Sequence, residues 1–276
     1  MIGKRAHAVA AVLLMAGACT TPQVPIADLK PGERPALGTD EAGLWMQMDA
    51  VEEKLKAAMQ SDVRTAAEIE RDGNRKPVET LGFFGLRDDM KVVELLPGGG
   101  WYTKLLAPVL AENGQFYVAL GTGSVTQNLL GQPGFDKVGV LAEEAKIYRP
   151  EGSRTYAIEM DGLGVTDADI VFTFRNYHNF GPEGRAAMNA AVYNALKPGG
   201  LYAVVDHSRR HMEPDNPENR RRIDPVLAIH EIQAAGFEFV EFSDLHYRPD
   251  DELRYEVGRR TVTGNTDRFT LLFEKP

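Results

Sequence analysis

The chain has 276 residues, of which 43% are hydrophobic and 26% charged, so it is long enough for a sizeable core and is neither a disordered polyelectrolyte nor a membrane bundle. Its 27 glycines and 16 prolines are close to ordinary usage, which excludes collagen-like and low-complexity sequences. With 40 acidic and 31 basic residues the net charge is −9, so the average field repels phosphate and nucleic acid is not an expected partner.

The first segment has the layout of a secretory signal peptide. Two basic residues, Lys4 and Arg5, precede an apolar run that ends at Ala18 and is too short to span a bilayer. Cys19 follows directly and resembles a bacterial lipoprotein cleavage site, where the thiol receives a lipid; the alternative is ordinary signal cleavage near Ala18. We therefore predict a signal peptide over 1–18, and an exported protein that is periplasmic or anchored in the bacterial envelope through lipid on Cys19.

Residues 19–38 contain four prolines, which favours an extended tether. No repeat and no second linker follow, so residues 39–276 are predicted to form one domain. Thr39 or Asp40 is expected to cap a first helix. Its apolar residues fall on one face and are Trp45, Met48, Val51, Leu55, Ala58 and Met59.

Two further helices are predicted before the first strand. Ser61 is a candidate N-cap for a helix through Asp72, and Pro77 starts a short helix toward Phe84. The charged residues between them, from Arg71 through Arg75 and Lys76, are predicted to form a solvated face, with closure over a ligand as the alternative.

From Asp89 onward, short apolar runs alternate with helical stretches. Strands are predicted over 91–96, 115–120, 155–160, 169–174, 201–205, 237–242 and 269–273. Helices are predicted over 101–110, 185–196 and 225–235. Strands separated by helices imply a parallel sheet that is covered on both faces, so the predicted fold class is α/β.

The most informative segment is ELLPGGGWYT, from Glu94 to Thr103. A strand here ends in an acid, and the glycines that follow let the backbone approach a ligand without Cβ clashes, beside the free N–H groups of a helix start. A dinucleotide site would need G-x-G-x-x-G and an acid about twenty residues later. Thr103 replaces the last glycine and the acid precedes the turn, so an NAD(P) oxidoreductase is disfavoured.

An acid followed by glycines resembles the first motif of class I S-adenosylmethionine (SAM) methyltransferases. Glu94, Gly98 and Gly100 match its acid-x-Gly-x-Gly-x-Gly pattern, and Leu96 stands in place of the first glycine. A second motif of that family, LKPGG, is present at 196–200. The chain from 62 to 276 is more closely similar to a subfamily of predicted exported bacterial methyltransferases. The motifs that carry this similarity are RDGNRKP, FRNYHN, VVDH and TDRF.

The resemblance implies a Rossmann-like fold in which N-terminal helices precede a seven-stranded, mostly parallel sheet with a reversed last strand. It also implies SAM as the cofactor. The candidate cofactor contacts are Glu94, Gly98, Gly99, Gly100, Trp101, Tyr102 and Asp161. Trp101 and Tyr102 either flank the sulfonium or pack in the core, and Asp161 either binds the adenine amino group or is a simple turn acid. The ribose-binding acid at the end of the second strand is missing, because no acid occurs between residues 113 and 135.

Methyl transfer requires an oriented acceptor and, where the acceptor carries a proton, a base. Both are expected beside the glycine turn, where the fourth and fifth strands end. The candidate catalytic residues are Asn176, His178, Asp206 and His207. His178 could accept a proton near neutral pH or bond the backbone, and His207 is the alternative base. Local spacing does not support a metal site formed by these side chains, and no metal is predicted.

Two functions from different classes fit these features. One is a SAM-dependent methyltransferase that transfers a methyl group to a small-molecule or envelope acceptor. The other is a non-catalytic ligand-binding or scaffold protein of the cell envelope that retains the fold; Leu96, the missing ribose acid and export away from cytosolic SAM motivate it. In either case, valine at Gly98 or Gly100 is expected to abolish ligand binding with a modest loss of fold.

Overall fold

The computed structural model describes residues 39–276, with side chains from residue 49 onward, so the predicted signal peptide and tether lie outside the described residues. The strands are β1 (Lys91–Leu95), β2 (Gln115–Ala119), β3 (Gly139–Leu141), β4 (Lys146–Tyr148), β5 (Ala157–Glu159), β6 (Ala168–Phe174), β7 (Leu196–His207), β8 (Glu238–Ser243) and β9 (Arg268–Glu274). The helices are α1 (Thr39–Met59), α2 (Ala66–Ile69), α3 (Asp72–Arg75), α4 (Pro77–Phe83), α5 (Thr103–Leu110), α6 (Gly123–Asn128), α7 (Pro182–Ala195) and α8 (Pro225–Ala234), and a turn of 3-10 helix covers Tyr177–Asn179.

The main sheet has seven strands in the order β3-β2-β1-β6-β7-β9-β8. Strand β9 runs antiparallel to both β7 and β8, whereas the pairs from β3 to β7 are parallel. The order reverses between β1 and β6, which are neighbours although four strands separate them in the chain. This topology confirms the predicted α/β fold with a reversed last strand.

Hydrophobic cores on both faces of the sheet explain the uninterrupted apolar runs of its central strands. Val92 and Val93 of β1 are both fully buried although they point to opposite faces, as expected for a parallel strand covered on both sides. One core includes side chains of α1, α4 and α5, and the other includes side chains of α7 and α8. No helix in the described part of the chain is both long and apolar enough to cross a membrane.

The third predicted strand is present, but it does not belong to the main sheet. The segment around 155–160 forms β5, which pairs with β4 in a separate two-stranded hairpin, and the third strand of the main sheet is β3. Strand β3 has only three residues at the sheet edge and pairs only with β2. A run of three residues has no readable periodicity, so the sequence pattern missed it.

The LKPGG stretch also differs from its expected place before a strand, because it belongs to β7. Leu196 pairs with Ala168 of β6, and Gly199 donates a main-chain hydrogen bond of 2.7 Å to the oxygen of Lys275. Strand β7 is therefore longer than the predicted 201–205.

The first helix is present as α1, and its apolar residues Val51, Leu55 and Ala58 are buried; the side chains of Trp45 and Met48 lie outside the described residues. The short helix that starts at Pro77 is confirmed as α4.

The continuous helix predicted from Ser61 to Asp72 is wrong. Thr65, not Ser61, caps a helix: its hydroxyl accepts the Glu68 N–H, and its own N–H donates to the Glu68 carboxylate at 2.8 Å. This capping box starts the single turn α2. A second single turn, α3, follows and ends at Lys76, whose φ of 41° is left-handed. That residue separates α3 from α4, which begins at Pro77.

Candidate functional site

An open cavity of about 440 Å³ lies where β1, β6 and β7 end. The glycine turn after β1, the residues after β6, His207 of β7 and two arginines near α3 line it. A second cavity of about 650 Å³ adjoins it, shares Leu96, Asn176 and His178, and extends to the β4–β5 hairpin. Parallel sheets bind ligands at such reversal points, beyond the carboxyl ends of their strands. The candidate site therefore lies where the sequence places it.

The turn after β1 brings main chain to the cavity. Gly98 has a left-handed φ of 58°, and a Cβ atom added there or at Gly99 would meet nothing within 4 Å, so both glycines face open space in the cavity wall. Leu96 adopts the left-handed φ of 53° that favours glycine, so the turn keeps its shape without the first glycine of the motif.

Gly100 has a different role. It does not line the cavity, and a Cβ atom added to it would lie 2.7 Å from Leu129 Cδ2. Valine at Gly100 would therefore disturb the packing of Leu129. The expectation of lost binding with a modest loss of fold applies to Gly98 and not to Gly100.

Glu94 is a buried acid in the cavity wall. Thr103 Oγ1 donates a hydrogen bond of 2.6 Å to Glu94 Oε2. Burial raises the pKa of the Glu94 carboxyl to about 7, against the opposing effects of the Thr103 bond and the positive charge of Arg75. Thr103, which disfavours a dinucleotide motif in the sequence, thus fixes the acid to the first turn of α5.

Trp101 and Tyr102 pack in the core, which was one of the two alternatives from the sequence, and both also line the cavity. Tyr102 stacks on Phe174 with ring centroids 3.6 Å apart. The Trp101 indole N–H donates a hydrogen bond of 2.9 Å to the main-chain oxygen of Glu68. The aromatic pair therefore forms a rigid wall on the side of the N-terminal helices.

Asp206 holds His178 in place. The Oδ1 atom of Asp206 lies 2.5 Å from His178 Nδ1 and also accepts the His207 N–H at 2.6 Å, and Oδ2 accepts the His178 N–H at 2.9 Å. A carboxylate on Nδ1 selects the tautomer with its proton there, which leaves the Nε2 lone pair as a proton acceptor. His178 lines both cavities, so this arrangement suits a base at the site.

His207 is the less suitable base. Burial and the nearby charges of His178 and Arg175 hold the pKa of its imidazole well below the ordinary value of 6.5. Its Nδ1 atom also lies 2.9 Å from Thr266 Oγ1. We therefore assign the proton-accepting role to His178 in the proposal below.

Asn176 links two segments of the site through hydrogen bonds. Its side-chain amide donates to the oxygens of Leu96 at 3.1 Å and Phe174 at 3.0 Å, which ties the turn after β1 to the end of β6. With both amide hydrogens engaged, Asn176 is a positioning residue rather than a proton-transfer group.

Asp161 is not brought to the site. It is exposed and lies in a separate depression with Ala142 and Met160. Among the side chains that the structure describes, from residue 49 onward, no group of three His, Cys, Asp or Glu could hold a metal ion. Around His178 and His207, the Asp206 carboxylate is instead occupied by hydrogen bonds to nitrogen.

The candidate residues from the sequence do not include two arginines of the cavity wall, the buried Arg75 and the half-buried Arg175. Arg75 is only 4% exposed and lies 4.2 Å above the Trp101 ring, and Arg175 follows β6 directly. The predicted solvated face is therefore wrong for Arg75, which is buried in the cavity wall. No local signal in the sequence marks Arg75 as buried.

Neither a protein-family model nor a curated protein matches the sequence. Among solved structures, the chain is similar to a SAM-dependent methyltransferase from Aquifex aeolicus, with 14% identity, coverage of 82% of this chain and 98% of that chain, and a TM-score of 0.52. It is also similar to the cyclase SpnF, with 14% identity, coverage of 83% and 94%, and a TM-score of 0.51. At these identities the likeness concerns the fold: the chain has the Rossmann-like fold of class I methyltransferases.

Proposed function

We propose that this protein is a SAM-dependent methyltransferase that acts on a small molecule or a component of the cell envelope. The observation that carries the proposal is that His178, held by Asp206, shares one open cavity with the main chain of Gly98 and Gly99. A group that accepts a proton thus lies beside a turn suited to close backbone contact with a ligand.

The residues present fit the cofactor at this turn. The space beside Gly98 and Gly99 is free of side chains, and Glu94 supplies a carboxylate in the wall of the same cavity. When bound, SAM supplies a methyl group that its sulfonium has already activated. The chain then orients the acceptor in the cavity, and His178 accepts the acceptor's proton on Nε2 while Asp206 stabilises the resulting imidazolium.

The direct test is calorimetry of the purified protein with SAM and with its demethylated product, S-adenosylhomocysteine (SAH). We expect both to bind, and an absence of binding at millimolar ligand would remove the proposal. Transfer of labelled methyl groups from SAM to a cell-envelope extract then tests catalysis.

Replacing Gly98 with alanine is expected to weaken SAH binding by at least about tenfold, because the added methyl group enters the space where a ligand approaches the main chain. Gly85→Ala is the matched control, since Gly85 has a similar φ of 69° and equally open surroundings but lies outside the cavity. Both variants carry the same left-handed strain, so calorimetry separates the steric effect from the backbone effect. Equal SAH affinities in the two variants would make the glycine turn purely structural.

A second candidate function is ligand binding or scaffolding without catalysis. Two features favour it: Leu96 in place of the motif glycine, and the absence of an acid where β2 ends at the second cavity. The similar solved structures include a protein named as a cyclase, so sharing the fold does not specify methyl transfer. Transfer of labelled methyl groups to envelope extract would contradict this second function.

We further propose, from the sequence, that the protein is exported and carries lipid on Cys19. Cys19→Ser is expected to move the protein from the membrane fraction to the soluble fraction and to abolish labelling by a radioactive fatty acid, because the serine hydroxyl is not a substrate for thioether formation. Fractionation with Ser61→Ala as an unrelated control checks this. If the Cys19→Ser protein is found in the membrane fraction as before, lipid on Cys19 is not the anchor.

A further inference from the structure

Three arginines from three separate elements meet at the site, and we call Arg75, Arg175 and Arg268 the arginine cluster. Arg75 and Arg268 are buried, and Arg175 is half-buried with a buried Nε atom. Arg75 ends α3, Arg175 follows β6, and Arg268 begins β9. Arg75 and Arg175 line both the 440 Å³ cavity and a neighbouring cavity of about 330 Å³, and Arg268 lines the neighbouring one. Three positive charges are thus concentrated at the site of a chain whose net charge is −9.

The arginine cluster has no carboxylate partner, unlike the other buried arginines in the described part of the chain. Those arginines each form an ion pair with an acid, in the pairs Arg64–Asp72, Arg185–Glu231 and Arg222–Asp251. No residue of the arginine cluster forms an ion pair with any described residue, and the buried Nε atoms of Arg75 and Arg175 have no hydrogen-bond acceptor. The chain therefore pairs its other buried arginines with acids and leaves these guanidinium groups without a carboxylate at a cavity, where Arg268 Nε donates to the main-chain oxygen of Thr266 at 3.3 Å.

Such an arrangement costs free energy in the absence of a ligand. Burial, together with the charges of the neighbouring arginines, lowers the pKa of Arg75 to about 9 and that of Arg268 to about 10. The stacking of Arg75 on Trp101 compensates only part of the lost hydration. A bound oxyanion would accept the free N–H groups and remove the mutual repulsion.

The arginine cluster also lies close to the proposed chemistry. Arg175 is separated by two residues from His178, and both line the 440 Å³ cavity. We propose that the arginine cluster binds an oxyanion, a phosphate or a carboxylate, that is carried by the methyl acceptor, and so directs the rest of the acceptor toward His178. This inference rests on the proposed methyltransferase function and adds the chemical class of its substrate.

The same oxyanion chemistry has a second source, the carboxylate of SAM itself. SAM also carries a sulfonium and an ammonium group, so its net charge is positive and three unpaired guanidinium groups would oppose it. An anionic acceptor has no such conflict. The charge balance therefore favours the methyl acceptor, and not SAM, as the source of the oxyanion. The experiment separates these two sources.

The test is calorimetry with inorganic phosphate and, in a second series, with succinate, at constant ionic strength and with or without saturating SAH. We expect the wild-type protein to bind at least one probe, with the same affinity whether or not SAH is present. Arg75→Met and Arg175→Met are expected to weaken probe binding by about tenfold or more while leaving SAH affinity unchanged. Arg254→Met, which removes an exposed arginine outside these cavities, should bind the probe as the wild type does.

Thermal unfolding without probe shows whether the variants are folded and whether the cluster is repulsive. Arg75→Met and Arg175→Met are expected to keep or raise the midpoint, because each removes an unpaired buried charge. Arg222→Met is the matched contrast and is expected to lower the midpoint, because it leaves the buried Asp251 without its partner at 2.8 Å. A lowered midpoint in all three variants would make the arginine cluster structural and overturn the inference.

The remaining outcomes distinguish this inference from the proposed function. SAH binding without binding of either probe, or equal probe binding in the Met variants, would overturn the inference and leave the methyltransferase proposal in place. Competition between SAH and the probe would assign the arginine cluster to the cofactor carboxylate and overturn the acceptor assignment. Probe binding without any SAH binding would overturn both the methyltransferase proposal and the acceptor assignment.

Discussion

Replacing His178 with glutamine is expected to lower the rate of methyl transfer by about 10²- to 10⁴-fold, the usual contribution of a general base. Glutamine keeps a hydrogen-bonding side chain of similar reach, but it has no nitrogen that accepts a proton near neutral pH. SAH affinity is expected to stay unchanged, because the glycine turn and not His178 is proposed to hold the cofactor. The measurement is label transfer from SAM to envelope extract, with calorimetry of SAH binding alongside it.

The chain offers a matched control for this substitution. His211 also bonds an aspartate through Nδ1, at 2.9 Å from Asp224 Oδ2, but its side chain is 60% exposed and it lines neither site cavity. His211→Gln should therefore leave the rate of methyl transfer unchanged. If His178→Gln transfers methyl groups as fast as His211→Gln does, the Asp206–His178 pair is structural and the acceptor is not deprotonated by His178.

The free energy of unfolding should depend on pH through Glu94. The pKa of its carboxyl is raised from 4.5 to about 7 in the folded protein, and it returns to the lower value on unfolding. Between these two values the folded state binds more protons than the unfolded state, so stability falls as the pH rises. The contribution is about 3 kcal/mol in all, since one unit of pKa shift corresponds to about 1.4 kcal/mol. It is fully present at acidic pH and is lost as the pH approaches 7.

Glu94→Gln isolates this contribution, because glutamine cannot ionise and its amide oxygen still accepts the Thr103 hydrogen bond. The difference in unfolding free energy between wild type and variant, from denaturant titrations across pH 4.5 to 7, is expected to fall by about 3 kcal/mol. Glu183→Gln, which removes an exposed carboxyl of α7, serves as the control. A difference curve that stays flat for Glu94→Gln would mean that Glu94 is ionised in the folded protein across this range.

The sequence predicts the fold well where elements are long and periodic. The runs at β1, β6 and β9 are mostly apolar, and the glycines after β1 mark the point where the backbone turns, so these strands can be located from the sequence. The sequence predicts short elements poorly. Strand β3 has three residues and α2 has four, and their positions depend on pairing with β2 and on the Thr65 capping box rather than on any local pattern.

The candidate site is predicted only in part, for a related physical reason. Residues adjacent to strand ends, such as His178 and Asp206, are brought together by sheet topology, which the sequence pattern implies. The arginine cluster depends on contacts between segments far apart in the chain, since Arg75 and Arg268 meet only after the N-terminal turns pack against the sheet. A charged residue also gives no local signal that it will be buried, which is why Arg75 was expected in solvent. Asp161 was expected at the site and lies outside it, because its expected place relied on β5 belonging to the main sheet.

Left-handed backbone at the ends of parallel strands has a consequence for engineering. Leu96, Leu120, Ala142 and Arg175 follow β1, β2, β3 and β6, with φ values of 53°, 63°, 53° and 60°. Each non-glycine residue in this conformation costs roughly 1 kcal/mol, so glycine at the half-buried Ala142 offers a route to a more heat-resistant protein. Leu120 does not, because its side chain is buried in the core and its removal would leave a cavity. The same change at Arg175 would gain thermal tolerance while removing a guanidinium group from the cavity. Selection for thermal stability alone would therefore remove the Arg175 side chain from the cavity, although that side chain is proposed to bind the ligand.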